Sequence, residues 1–429
     1  MLWLVIGYLF LFVFRPFEYW PVLGEFRIER IYMLCLLVIL FLWRRRRYIA
    51  HPINNSIIFF LIVLVVSSVL SFSWTDAYKA TFDYFKLVVF YFVILLTIRD
   101  ERQLKLFIIA YLAVMFLYVG KSAWEFFLHD RYTWRMGIKR LGGIDTSYGD
   151  PNAFAASIAY SLPFLWAMLK YKVRNPLVRK MLWTYGIVAG VSIVFTGSRS
   201  GMVTTLLFFM LVLFGTSRKI TGVTLLLVLL AFVWNFMPLE YQSRFKSAFV
   251  KGAASKDAEV SAQGRLAGLK QGIKMFSNNP LLGIGPGNFK YGWDDRPIGM
   301  SAHNLYGELL GETGGAGFLA FFILVVLIVK THRKVAEKAH ELLGSASPHS
   351  PPVLPAKADK ARLLQLVSTA SVQAIILLLF NGNFGHNLYR YNWLWIGAIG
   401  VLSLHFLKDE FDKAGAPRTL KKTGFARHG

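Results

Sequence analysis

Twelve apolar runs divide this chain of 429 residues, at about 1–15, 29–43, 56–73, 80–98, 104–127, 152–169, 181–196, 201–214, 220–237, 303–329, 362–381 and 387–407. Most approach the ~20 residues that span a bilayer as a helix. Segments of this length enter lipid only as helices, which satisfy their own backbone hydrogen bonds. The chain is 55% hydrophobic, with a mean hydropathy of +0.47, and lacks the polar residues to cover a soluble surface of its size. The fold class is an all-α polytopic membrane protein of about 12 transmembrane helices. The short run 201–214 needs flanking residues or tilt to span.

Charge sets the orientation. Lys and Arg number 48 against 24 acidic residues. Alternate connections carry Arg44–Arg47, Arg99 to Lys105, Lys170 to Lys180, Arg218-Lys219, Lys330 to Arg362 and the tail from Lys408, 27 basic residues in all. The short opposite connections carry 10. Basic connections stay in the cytoplasm, so both termini are expected there. The same residues suit anionic membrane lipids, and no soluble domain remains to bind nucleic acid. The single cysteine, Cys35, lies in an apolar run and has no disulfide partner. Met1 to Phe14 has no basic residues before its apolar stretch and reads as a retained first helix.

The expected organisation is nine helices over 1–237, a large periplasmic loop at 238–302 between helices 9 and 10, three helices over 303–407, and a cytoplasmic tail at 408–429. Within the last group, the charged and proline-containing stretch 331–361 reads as a mobile cytoplasmic linker. The periplasmic loop reads as structured. Leu266, Leu269, Ile273 and Phe276 recur at three- and four-residue spacing, one apolar stripe of a helix that suits the membrane surface.

The residues able to carry chemistry gather on the periplasmic side. Thr196-Gly197-Ser198-Arg199 lies between two apolar runs, where an arginine is costly unless paired. Arg199 suits either a snorkelling topology residue or an anion site, because a guanidinium donates two parallel hydrogen bonds to phosphate. Arg265 follows Gly264, on either a solvated helix face or a second anion contact. The glycine- and proline-rich run 279–289 is a turn cluster without a nucleotide-binding pattern. His303-Asn304 opens the tenth helix. Histidine is the usual base near neutral pH, and Asn304, Glu308 and Glu312 stand within three turns of it. Lesser candidates are Arg140, Asn152 in Asp150-Pro151-Asn152, and His386, followed by Asn387 as His303 is by Asn304. The Asp-Pro-Asn turn also reads simply as a helix start.

Together these segments resemble the O-antigen ligase and polymerase superfamily. The resemblance rests on Thr-Gly-Ser-Arg at 196–199, Gly264-Arg265, and Asn-Pro-Leu-Leu-Gly-Ile-Gly-Pro-Gly-Asn-Phe at 279–289. It rests most on His303-Asn304 followed after nine residues by Gly314-x-x-Gly317. Asp150-Pro151-Asn152 and the twelve-helix layout fit as well. The motifs cover about 150–320. Leu269 departs from the pattern, in which many members have tryptophan. The resemblance implies a GT-C-like inner-membrane glycosyltransferase, metal-independent and without a cofactor. It would move a glycan from undecaprenyl diphosphate to the hydroxyl of a glycan or lipid A-core acceptor in the periplasm. Arg199 and Arg265 would hold the diphosphate, and His303 would act as base. Protein O-oligosaccharyltransferases share the donor and stay open as an alternative. A polysaccharide transporter or flippase is the rival of another class, but it needs polar sites at the membrane midplane.

Overall fold

The computed structural model describes residues 1–43, 48–135, 137–145, 149–246, 256–293, 299–344 and 355–415. Each apolar run becomes a helix. The chain starts with α1 (Leu2–Phe14), two short helices α2 (Pro16–Tyr19) and α3 (Pro21–Glu25), and α4 (Ile28–Leu42). Then come α5 (Pro52–Val69), α6 (Trp74–Thr97) and α7 (Glu101–Leu128). A hairpin that the apolar pattern did not announce, β1 (Thr133–Arg135) and β2 (Ile138–Arg140), pairs Thr133 with Arg140 and leads to α8 (Pro151–Tyr171). Next are α9 (Pro176–Phe195), α10 (Arg199–Phe214) and α11 (Lys219–Phe236). The stretch read as a structured loop holds α12 (Leu239–Lys246) and α13 (Lys256–Asn278). The chain ends with α14 (Leu305–Gly344), α15 (Pro355–Asn381) and α16 (Tyr391–Gly415).

Among the described residues, nine helical stretches are long and apolar enough to cross a membrane, and α10 is an apolar helix of 16 residues. The molecule is an all-α polytopic membrane protein. Helix starts follow local chemistry. Asp100, Asp150, Asn175 and Ser198 accept backbone N–H groups that the first turn leaves unpaired, and proline opens α5, α8 and α9. Trp395 of α16 gathers Phe12, Phe90, Phe107 and Tyr111 from α1, α6 and α7, with ring centroids 5.4–6.1 Å away.

One expectation needs correction, and one helix packs by a face the apolar pattern did not mark. The stretch 331–361 is largely helix rather than linker: α14 runs on to Gly344, α15 begins at Pro355, and residues 345–354 lie outside the described residues. Val335 and Ala339 are fully buried, so the polar sequence hides a packed face. In α13 the apolar stripe is not the packing face. Leu266 and Ile273 are exposed, while Gly268, Gly272 and Met275 are buried.

That glycine face governs the crossing of α13 and α14. A methyl group on Gly268 would overlap the Ala302 carbonyl, and one on Gly272 would overlap the backbone of Gly307. A methyl on Gly311 would lie 3.3 Å from the Gly272 Cα. Glycines at four-residue spacing on both helices let the two backbones touch, as in packed membrane helices.

Seven residues after Gly307, α14 breaks. Gly314 has φ 62° and ψ −160°, outside helical space. The run 279–289 enters the gap. Gly315 N donates to Pro280 O at 2.8 Å and Ala316 N to Leu281 O at 3.0 Å. In return, Gly311 O and Glu312 O accept from Ile284 N and Gly285 N, each at 3.0 Å. An unbroken helix would have joined these same two donors to these same two acceptors. Gly283, at φ +65°, lies against the Glu312 backbone and has no room for a side chain.

The crossing makes a testable distinction. Gly272→Ala is expected to lower the thermal unfolding midpoint of the purified protein by an amount equivalent to about 1–3 kcal/mol. Gly264→Ala, where an added Cβ meets nothing within 4 Å, serves as control. Equal midpoints for both variants would contradict the close crossing.

Candidate active site

The turn before α10 is built to present Arg199. Gly197 takes a left-handed conformation (φ +56°). Ser198 caps α10 by accepting from Gly201 N at 3.1 Å, and the Thr196 hydroxyl accepts from Ser198 N at 3.1 Å. Arg140, with no solvent exposure, donates from Nε to Thr196 O at 2.7 Å and from Nη2 to Asn152 Oδ1 at 2.9 Å. Burial, and next the charge of Arg244, push the Arg140 pKa down to about 9. The Arg140 side chain is thus a strut between the hairpin, α8 and the Arg199 turn. Asp150 fixes the start of α8 by accepting from Asn152 N and Ala153 N at 2.8 and 3.2 Å.

A second wall comes from α13 and α14. Asn304 caps α14, accepting from Tyr306 N and Gly307 N, each at 3.0 Å. His303, just outside the cap, is held in left-handed backbone (φ +46°), a conformation a histidine rarely adopts. Leu305 N donates to Gly382 O at 2.7 Å and so draws the α15–α16 connection against this helix start. His386 of that connection faces His303 with ring centroids 5.4 Å apart. Arg265 of α13 stacks over Phe384 of the same connection at 5.5 Å.

The electrostatics show which groups converge. Burial lowers the Arg265 pKa, and the charge of Arg199 lowers it further. The His303 tip is exposed, but the surrounding protein desolvates the ring and lowers its pKa. Arg265 and Arg135 act in the same direction, and Asp150 opposes them. His386 is likewise exposed, but the surrounding protein desolvates its ring and pushes it down to about 4, with Arg390 and His303 acting in the same direction. Arg199, Arg265, His303, His386 and Asp150 are thus linked in one electrostatic neighbourhood, with both imidazoles biased towards the neutral form.

Glu312 has a different task. Its carboxylate accepts from Gly287 N at 2.8 Å, Phe289 N at 3.1 Å and the Tyr389 hydroxyl at 2.7 Å. It clamps the inserted run to α14. A buried network fixes the helices beneath the site. Asn381 donates to Thr204 at 3.0 Å and accepts from Tyr160 at 3.0 Å, while Asn387 donates to Tyr160 at 3.3 Å and to Leu378 O at 2.9 Å.

Arg244 of α12 was missed in the sequence. Its Nε donates to Gly197 O at 2.6 Å, and burial, followed by the charges of Arg199, Arg135 and Arg265, pushes its pKa down to about 10. One arginine in a stretch holding nine Lys and Arg carries no distinguishing signal. The paired Asp294-Asp295, the one acidic pair of that stretch, lies outside the described residues.

No curated protein matches this chain. Residues 184–322 match the family model described as O-antigen ligase, and this span holds Arg199, Arg244, Arg265, His303 and Glu312. That segment, about a third of the chain, is similar to the O-antigen ligase family.

Proposed function

We propose that the protein is an inner-membrane glycosyltransferase of the ligase or polymerase type, moving a glycan from undecaprenyl diphosphate to an acceptor hydroxyl on the periplasmic face. The observation that supports this reading is that Arg265 lies within electrostatic reach of both Arg199 and His303, which come from different helix ends. The acceptor hydroxyl attacks the anomeric carbon and gives its proton to His303. The bond from that carbon to the diphosphate oxygen breaks, and its electron pair leaves with the diphosphate. A single displacement of this kind inverts the anomeric centre.

Charge grows on the leaving group as the bond breaks. Fixed guanidinium groups then favour the transition state over the ground state. A neutral imidazole is the form a base needs, and the positive neighbours of His303 favour it. Arg140, Asn152, Asn304 and Glu312 act by orientation, through the struts and caps described, and His386 faces His303. The acceptor is a glycan or a lipid A-core.

His303→Ala is expected to reduce transfer roughly 10²–10⁴-fold while the protein still inserts and lipid-linked glycan accumulates. Arg199→Ala and Arg265→Ala should behave alike, with lysine a poor substitute because it lacks the two-pronged donor. Normal transfer by His303→Ala would remove the proposed base.

The acid limb of the rate profile should fall below pH ~6.5, the ordinary histidine value, since the His303 pKa is lowered. Asp150 raises that pKa, so Asp150→Asn, which can still cap α8, should shift the limb to lower pH. A shift upward would separate the limb from His303.

Transfer should persist in excess EDTA, because the arginines supply the positive charge a divalent metal would otherwise bring. The stretch 238–302 holds nine Lys and Arg against five acidic residues. Loss of reconstituted transfer in EDTA, restored by Mg²⁺, would overturn this and direct attention to Asp294 and Asp295.

Orientation is read by labelling Gln263→Cys and Lys357→Cys in a Cys35→Ser background. An impermeant thiol reagent added to intact cells with a permeabilised outer membrane should reach only position 263. Labelling at 357 alone would invert the assignment.

A further inference from the structure

We propose that Arg244 is a positioning residue for Arg199, holding the Gly197 carbonyl so that the turn presents Arg199 to the donor diphosphate. The inference rests on the diphosphate role given to Arg199. Three observations carry it.

The first is that α12 is anchored where Arg244 can act. The Tyr241 hydroxyl donates to Lys139 O at 2.5 Å. Gln242 donates to Trp234 O and Met237 O at 3.0 and 2.9 Å. Ile138, Met237, Tyr241 and Phe245 form a small apolar cluster around it. The helix is therefore fixed to both the hairpin and the end of α11.

The second is the pairing of two arginines on two successive carbonyls. Arg140 Nε binds Thr196 O, and Arg244 Nε binds Gly197 O. Fixing consecutive carbonyls fixes the peptide planes that lead into Ser198, the cap of the Arg199 helix. Charged donors make such bonds stronger than neutral ones.

The third is the space around Gly197. A Cβ there would lie 2.8 Å from Ile138 Cδ1 and 3.3 Å from Arg244 Nε. The turn is held between the hairpin and Arg244, with its left-handed glycine at the contact.

The chemistry of substitution separates bracing from charge. Glutamine places its amide nitrogen at the same distance along the side chain as arginine Nε, and it has no charge. Lysine keeps the charge but has carbon at that position. The test is binding of farnesyl diphosphate, a carrier diphosphate without sugar, to the full-length purified protein. Arg244→Ala should weaken binding about tenfold, the scale of one charged hydrogen bond. Arg244→Gln should recover most of that loss, and Arg244→Lys should not. Thermal unfolding of each variant reports whether it is folded. Recovery by lysine and not by glutamine would overturn the bracing role in favour of charge alone. Binding lost in Arg199→Ala but unchanged in Arg244→Ala would overturn this assignment and leave the diphosphate reading standing. Unchanged binding in Arg199→Ala would overturn both.

Discussion

Two donors and two acceptors change partners at Gly314, and the site depends on that exchange. An unpaired backbone group is expensive where water is excluded, so a membrane helix breaks only where something replaces its lost bonds. Here the replacement is the run 280–285, whose carbonyls and N–H groups take the places of α14's own. Glu312 then binds the same run through its carboxylate. The glycines of this run serve contact with backbone. The run also reaches the start of α6, where Asn288 accepts from Ser73 N at 2.6 Å and Phe72 N donates to Ile284 O at 3.1 Å. One inserted segment thus locks α5, α6 and α14 together below the site.

Above that lock, the distance between Arg265 and His303 is set by backbone contact. Gly272 against Gly307 leaves no flexible side chain between α13 and α14. Close approach of this kind gains dispersion energy without the entropy loss of ordering long side chains. The turn before Arg199 is held by hydrogen bonds instead, through Arg140, Arg244 and the cap at Ser198. The polar network of Tyr160, Thr204, Asn381 and Asn387 ties the Arg199 helix to the connection that bears His386.

The helices were legible because a bilayer imposes one length on every span, and the twelve runs each fall on a helix. Arg199 and His303 stood out as polar residues at the ends of apolar runs, and Arg265 through the pair Gly264-Arg265. Their neighbours were not. Asn304 and Glu312 were visible as polar residues near His303, yet their hydrogen bonds go to backbone, which sequence spacing does not report. In α13 the Leu266 to Phe276 stripe was the stronger hydrophobic signal, while the packing lay with Gly268 and Gly272. Glycine contributes nothing to an apolar pattern, so the packing face of a helix that packs by backbone leaves no mark in that pattern. The charged stretch from Lys330 onward looked like a linker because its buried positions, among them Thr331, His332, Val335 and Ala339, carry little hydrophobic signal.

Like charges in one neighbourhood repel, and the mutual lowering of the Arg244 and Arg265 pKa values by Arg199 records that repulsion. An anion bound among these arginines would offset that repulsion and stabilise the folded chain as any ligand of the native state does. On the proposed chemistry, the diphosphate left after transfer carries more negative charge than the glycan-bearing donor. The site would therefore hold the spent carrier more tightly than the loaded one. On that chemistry product departure would be the slow event of the cycle, with the carrier's exit setting its pace.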